Sequence, residues 1–250
     1  MRLISHGVSV LRSWLRLLAL AAVTGLSTAC SGGVVTLPPA TPVGLYVATE
    51  PPPGGSLSDR AVLVFPLDAS GDAAPIRRIA GPRTGFSGDG VSFGGVAVNR
   101  EGQVFVALTF TELLPLSHVV VFPRTADGDL APIRSFSAGG FRVNGMALGP
   151  DGRVYLTGDD DAVRVYAPGA AGVATPERTI RGPRTLLNGP TGIAVGSDGF
   201  IYVANRTSKS VVVFAPGADG DVGPTHQFSG VLTELSDPVG LTLGLGVVWV

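Results

Sequence analysis

From residue 43 onward the apolar residues come in runs of four to six, not at helical spacing. Runs such as Val104–Ala107, Val154–Thr157 and Ile201–Ala204 are rich in β-branched and aromatic residues and bounded by Gly, Pro and Asp, which predicts short strands joined by tight turns. Four of the runs are near copies at an almost constant interval: Gly-Val-Ala-Val (95–98), Gly-Met-Ala-Leu (145–148), Gly-Ile-Ala-Val (192–195) and Gly-Leu-Thr-Leu (240–243). Each is followed by a second apolar run, with Glu101-Gly102, Asp151-Gly152 or Asp198-Gly199 between the first three pairs, as expected for hairpins. A third run ends in an aromatic and a proline (Val62–Pro66, Val119–Pro123, Val163–Pro168, Val211–Pro216). A fourth opens on proline at 75, 132, 176 and 224, and in the first three repeats it carries Arg77, Arg78, Arg134, Arg178 and Arg181.

The unit is therefore four strands, a to d, and the interval between copies is the period of a blade-type repeat. A chain of such units is expected to be all-β and to form a β-propeller, each unit a blade packed face to face with the next. The apolar a and b strands should be buried on both faces, and the charged, proline-opened d strand should be the outer edge. Blade repeats fall near 43–93, 94–143, 144–190 and 191–238, with a partial one at 239–250.

The run Pro190-Thr-Gly-Ile-Ala-Val-Gly-Ser-Asp-Gly-Phe-Ile-Tyr-Val-Ala-Asn205, followed by Ser-Val-Val-Val-Phe (210–214), resembles the NHL repeat. The resemblance extends over 43–250 and implies four-stranded blades in a ring, commonly of six. Relatives of this shape include binding modules and enzymes of the lactonase and lyase type, so activity stays open. Such enzymes rely on His, or on Glu/Asn/Asp sets facing the central channel.

The segment 1–29 differs in kind. Arg2, Arg12 and Arg16 precede the apolar stretch Leu17–Leu26, and no acidic residue is present, the order of a secretory signal and too short to span a bilayer. Ser27-Thr28-Ala29-Cys30 resembles a bacterial lipobox, with Ser27 where Leu is usual, and Cys30 is the one cysteine in the chain. We expect cleavage before Cys30, lipidation of its thiol and a tether over 30–42. The chain would then be held to the membrane of the bacterial cell envelope; Ser31, not Asp, after the cysteine favours the outer membrane or cell surface. The alternative is ordinary signal-peptidase cleavage.

Composition sharpens this. Gly 36 and Pro 20 are turn punctuation in a chain with a 45% hydrophobic share. A net charge of −1 offers no basic footprint for nucleic acid. Of the three histidines, His6 lies in the leader, His118 opens a c strand and His226 lies in a d strand, without metal-ligand spacing, so no cofactor is expected. Oxygen ligands for Ca2+ or Mn2+ are the alternative. The candidates on the b–c and d–a loops are Glu50, Glu112, Asn144, Asp159, Asp160, Asp161, Asn188, Asn205 and Asp237. Asp159–Asp161, and the Asp127-Gly-Asp129 and Asp219-Gly-Asp221 pairs, are read as turn chemistry. Two b–c loops, 49–60 and 108–117, exceed their counterparts, and the second holds Leu108, Phe110, Leu113, Leu114 and Leu116; these either contact a partner or fold over the channel mouth. Arg83 and Arg184 recur in matching Gly-Pro-Arg-Thr segments, read as repeat ancestry.

The expected function is a non-catalytic, envelope-anchored propeller presenting a loop face to a protein or glycan. The alternative is a lactonase- or lyase-type enzyme with a divalent metal over the channel. Residues 43–250 make about 4.3 blades at this period, and both ends fall on a b strand. An incomplete six-bladed ring, truncated at its C-terminus or completed by dimerisation, is the expectation.

Overall fold

The computed structural model describes residues 44–50, 56, 59–88, 90–111, 116–244 and 247–250. The leader, Cys30, the tether and Glu112 lie outside them. The first sheet holds β1 (Gly44–Thr49), β2 (Ala61–Pro66) and β3 (Arg77–Ala80). The second holds β4 (Val91–Val98), β5 (Val104–Phe110), β6 (Leu116–Phe122) and β7 (Arg134–Gly139), and the third β8 (Val143–Leu148), β9 (Val154–Gly158), β10 (Ala162–Tyr166) and β12 (Arg178–Arg181). The two-residue β11 (Gly172–Val173) leaves the third repeat to pair in parallel with β7. The fourth sheet holds β13 (Pro190–Val195), β14 (Ile201–Asn205), β15 (Ser210–Phe214) and β16 (His226–Ser229), and β17 (Thr242–Gly244) pairs with β18 (Val247–Trp249). Within each blade the neighbours are antiparallel, in the order a-b-c-d that the sequence predicts. The first blade enters at strand b, and the described sheets do not close into a ring.

Three apolar cores separate the blades, one per interface. Val62, Ile79, Phe86, Val104, Val106 and Phe122 fill the first; Phe105, Val119, Phe136, Phe141, Leu156 and Tyr166 the second; Val163, Ile180, Ile201, Val203, Val212 and Phe214 the third. Phe86 meets the edges of Phe93 and Phe122 at 5.2 and 5.5 Å between centroids, the favoured aromatic geometry. Of the a and b strands expected to be buried on both faces, the b strands β5, β9 and β14 are almost wholly buried, whereas β1 is only half-buried. The a strands are only half-buried: after Val91, every residue of β4 is intermediate. An innermost strand has a sheet neighbour on one side alone, so its other edge looks along the open axis.

At two of its copies the repeated glycine of strand a has a steric cause in neighbouring backbone. A β-carbon on Gly145 would stand 2.2 Å from the Thr191 carbonyl oxygen, and one on Gly192 2.7 Å from the backbone of Gly240 and Leu241. Register shifts fall at Phe93/Gly95, Val143/Gly145 and Pro190/Ile193, so the same irregularity recurs where neighbouring a strands approach.

The described residues of the expected loop 108–117 are strand, apart from Thr111. Leu108 is fully buried in the first interface core and Phe110 is half-buried on β5, while Leu116 opens β6 and is 47% exposed. The extra length goes into a longer hairpin because the apolar alternation continues past Ala107. Leu113 and Leu114 lie outside the described residues.

The candidate functional site and the blade fasteners

On the b–c and d–a face, the polar candidates are engaged in bonds both within blades and between them. Asp159 Oδ1 accepts the Arg142 N–H at 2.9 Å and Asp161 Oδ1 accepts the Gly189 N–H at 2.7 Å. Asn144 Nδ2 donates to the Pro190 carbonyl at 2.9 Å, across to the next blade. Asn205, fully buried, accepts the Asn188 N–H at 3.1 Å and donates to the Leu186 carbonyl at 3.0 Å. Asn188 thus contributes its backbone to this network. Glu50 accepts from Arg60 Nε at 2.6 Å and from the Phe93 N–H at 3.2 Å, tying the first sheet to the second. Asp237 pairs with Arg206 at 2.6 Å on the surface.

Asp160, like Asp237, is a carboxylate of the set whose pKa is lowered. Hydrogen bonds from Arg164 at 2.9 and 2.5 Å hold its pKa below the usual carboxylate range despite partial burial. The Arg164 guanidinium also stacks on Phe141 at 4.0 Å, so the ion pair is packed as well as charged. Among the described residues no cluster of three or more His, Cys, Asp or Glu is placed to hold a metal ion. The structure brings Asn188 and Asn205 together, and Asp159 to Asp161 lie in one turn; Glu50 and Asp237 pair elsewhere.

The second feature of this face is the β5–β6 hairpin. Its strands have seven residues each, against five in β9, β10, β14 and β15. The two additional residues project it by about 7 Å at ~3.3 Å per residue. Near its tip Phe110 packs edge-on against His118 at 5.2 Å, and burial lowers the His118 pKa, so the imidazole is neutral at pH 7.

The opposite face holds a cleft of about 790 Å³ between the a–b turns of the second, third and fourth blades. Asn99, Arg100, Glu101, Phe105, Arg134 and Asp151 are among its walls. Asn99 is tied to Glu101 at 2.5 Å and to Gln103 at 3.0 Å, and Asp151 to Arg153 at 2.7 Å. Sequence reasoning looked to the other face and missed it; the polar residues recurring beside the a–b turn glycines were its one visible signal.

A set of fasteners also emerges at the outer rim, where the aspartate pairs lie. Asp127 Oδ1 accepts the Arg78 N–H at 2.9 Å and Asp129 Oδ1 the Arg83 N–H at 2.8 Å, both in the preceding blade. Asp219 and Asp221 do the same to Thr179 and Arg184, each at 2.8 Å. Between the aspartates, Gly128 and Gly220 bridge in parallel to Ile79 and Ile180. The second blade's outer strand is met by β11 instead, through Gly172↔Phe136. The Gly-Pro-Arg-Thr segments are the receptors: they form 3-10 turns whose arginine backbone N–H, not side chain, is used. The first arginine of strand d works alongside. Arg77, Arg134 and Arg178 lie over Tyr46, Phe105 and Tyr155 of their own blades at 5.8, 5.7 and 6.0 Å. Each also donates to a carbonyl in the next c–d turn: Arg124, Pro168 and Ala218 respectively. These arginines, expected to guard an open edge, instead close it.

Radially successive four-stranded antiparallel blades with inner a strands and outer d strands define a β-propeller architecture. Residues 187–214, which contain β13, β14 and β15, match the NHL repeat family. The fold is of the β-propeller type, and one NHL repeat, at 187–214, lies within it. No curated protein matches it in sequence. Among solved structures it is similar to a Bacteroides caccae protein of unknown function, at 12% identity and TM-score 0.47, covering 67% of this chain and 53% of that one. It is also similar to the Pseudomonas aeruginosa periplasmic gluconolactonase, at 20% identity and TM-score 0.47 (75% and 55% covered), and to a luciferin-regenerating enzyme, at 12% and 0.49 (76% and 61%). The chain thus spans just over half of the first two structures and about three fifths of the third.

Proposed function

We propose that the chain is a non-catalytic binding module, held to the bacterial cell envelope by a lipid on Cys30, that presents its b–c and d–a face to a protein or glycan partner. The projecting β5–β6 hairpin carries the reading: its strands are longer than those of the corresponding hairpins of the third and fourth blades, and it places an exposed Leu116 beside a half-buried Phe110. Exposed apolar groups on a loop face held by a rigid scaffold are suited to recognition. The polar groups of the same face support it further, because the oxygens of Asp159, Asp160, Asp161 and Asn205 already satisfy backbone or arginine donors.

The test replaces residues 111–115 with a three-residue turn and follows in-cell crosslinking and retention on envelope polysaccharide. One retained partner that is lost in the variant, with the melting temperature unchanged, is the expected result. A large Ca2+- or Mn2+-dependent stabilisation, reversed by chelation and by Asp160→Ala, would overturn the reading in favour of a metal-dependent lactonase-type enzyme. Labelled palmitate should appear on the wild type and not on Cys30→Ala; an unlabelled wild type refutes the anchor.

A further inference from the structure

The first arginine of the first three d strands lies beside an aromatic residue of strand b, with one residue of strand c between them. The pairings are Tyr46↔Val64↔Arg77 in the first blade, Phe105↔Val121↔Arg134 in the second and Tyr155↔Val165↔Arg178 in the third. In the first and third blades the aromatic is tyrosine, and its hydroxyl accepts Nη2 of the arginine at 3.0 and 3.3 Å. In the second it is phenylalanine, which offers no acceptor. Arg134 keeps the same place over its ring, at 5.7 Å, and its Nη1 donates to the Pro168 carbonyl at 2.7 Å. Its Nε and Nη2 have no partner among the described residues.

This exception falls where the cleft of about 790 Å³ opens, and Arg134 is part of the cleft wall. The volume is that of a small-molecule site. The second blade is packed on both faces, through the first interface core and the second, so the missing partner is a choice of residue within the repeat. Gly169 adds no side chain over the guanidinium; a β-carbon there would stand 4.0 Å from Nη1. Arg100, on the a–b turn of the same blade, is exposed, and its side chain also has no partner among the described residues. The acidic groups of the wall are engaged: Asp151 with Arg153 at 2.7 Å, and Glu101 with Asn99 Nδ2 at 2.5 Å. The site therefore offers cationic donors, while its two carboxylates limit how much negative charge it will accept.

We propose that this cleft binds a small organic carboxylate, gripped by two hydrogen bonds from Nε and Nη2 of Arg134. The two N–H groups on that edge of a guanidinium are parallel and match the two oxygens of a carboxylate. Stacking on Phe105 occupies the face of the guanidinium and leaves this edge to the ligand. Phosphate presents the same oxygens but carries up to two negative charges past Glu101 and Asp151, whereas a carboxylate carries one, which the guanidinium balances. Leu148, Pro150 and Val195 supply apolar wall for the carbon skeleton. The site lies on the face opposite the b–c and d–a loops, so it stands or falls independently of the partner proposed there.

The test titrates the full chain with glucuronate and benzoate, with their uncharged counterparts glucose and benzamide, and with inorganic phosphate, followed by NMR. At least one carboxylate should bind and its counterpart should not. Arg134→Gln should weaken that binding about ten- to a hundredfold, the worth of hydrogen bonds to a charged group. Because Arg134 also fastens two blades, the decisive variant is Phe105→Tyr, which keeps that fastening. It supplies the hydroxyl that the first and third blades use, occupies Nη2, and should weaken carboxylate binding similarly with the melting temperature unchanged or raised. Neither carboxylate saturating at millimolar concentration, equal binding of the uncharged counterparts, phosphate binding more tightly than both carboxylates, or full affinity in Phe105→Tyr would each overturn the proposal.

Discussion

Gly145→Ala tests the inner packing directly. Ordinary van der Waals contact begins near 3.4 Å, and the new methyl would lie 2.2 Å from the Thr191 carbonyl oxygen and 2.9 Å from Thr157 Oγ1. The obstacle is backbone, so β13 itself must retreat to make up the shortfall. That movement strains or breaks two bonds across the same interface: Thr157 Oγ1 to the Thr191 carbonyl at 2.6 Å, and Asn144 Nδ2 to the Pro190 carbonyl at 2.9 Å. Overpacking costs about 1–3 kcal/mol, and partial loss of one buried hydrogen bond adds ~1 kcal/mol. A destabilisation of roughly 2–4 kcal/mol is therefore expected. Urea unfolding followed by circular dichroism measures it, and Gly240→Ala is the control, since nothing lies within 4 Å of its added carbon. If both variants unfold at the same urea concentration with the same slope, close approach of the inner strands is not what requires glycine.

Four other outcomes can be checked independently. Gly182→Ala places a carbon 2.5 Å from Asp221 at a φ of 132°, costing about 1–3 kcal/mol of backbone strain; adding Asp221→Gly should recover part of the loss in a double-mutant cycle, and strict additivity would exclude the contact. Leu108→Ala should lose about 2–5 kcal/mol by opening a cavity, and Leu116→Ala under ~0.5 kcal/mol; thermal melts with the reverse order would place the wrong residue in the core. The depressed pKa of Asp160, caused first by its hydrogen bonds to Arg164, contributes stability above the unfolded carboxylate value of about 3.9. That stability is lost as pH falls through the folded value, so wild type and Asp160→Asn should differ steadily from pH 7 to 5 and converge below about 4. Burial lowers the His118 pKa, so the unfolded chain takes up this proton first and stability declines below about pH 6.5; His118→Gln should flatten that part of the curve.

The strands were legible because they alternate with unmistakable punctuation. Asp151-Gly152 and Asp198-Gly199 mark hairpins, and Gly152 and Gly199 adopt φ of 80° and 84°. Contacts between blades were less so. Arg77, Arg134 and Arg178 read as edge charges because a sequence shows their period but not which neighbour follows in space. The aspartate pairs read correctly as turns, yet what those turns grip depends on the next blade lying against them. The end of β5 was misplaced for a different reason: Leu108 continues the strand alternation, while Thr109 and Thr111 look like loop. At the candidate face the residue types were visible, and their use was not. Asp159 and Asp161 each serve a backbone N–H roughly seventeen or twenty-eight positions away in the chain, which no local pattern encodes.

The rim fasteners also set an order of events during synthesis. Arg78 waits for Asp127, 49 residues later, and Thr179 for Asp219, 40 residues later, so a blade's outer strand is completed only when the following c–d turn has emerged. Folding along the chain therefore trails elongation by about one repeat. Among the described residues, the longest such closure spans 49 residues. An all-β protein built this way avoids the longest loop closures that slow β topologies, and each completed blade serves as the template on which the next one sets.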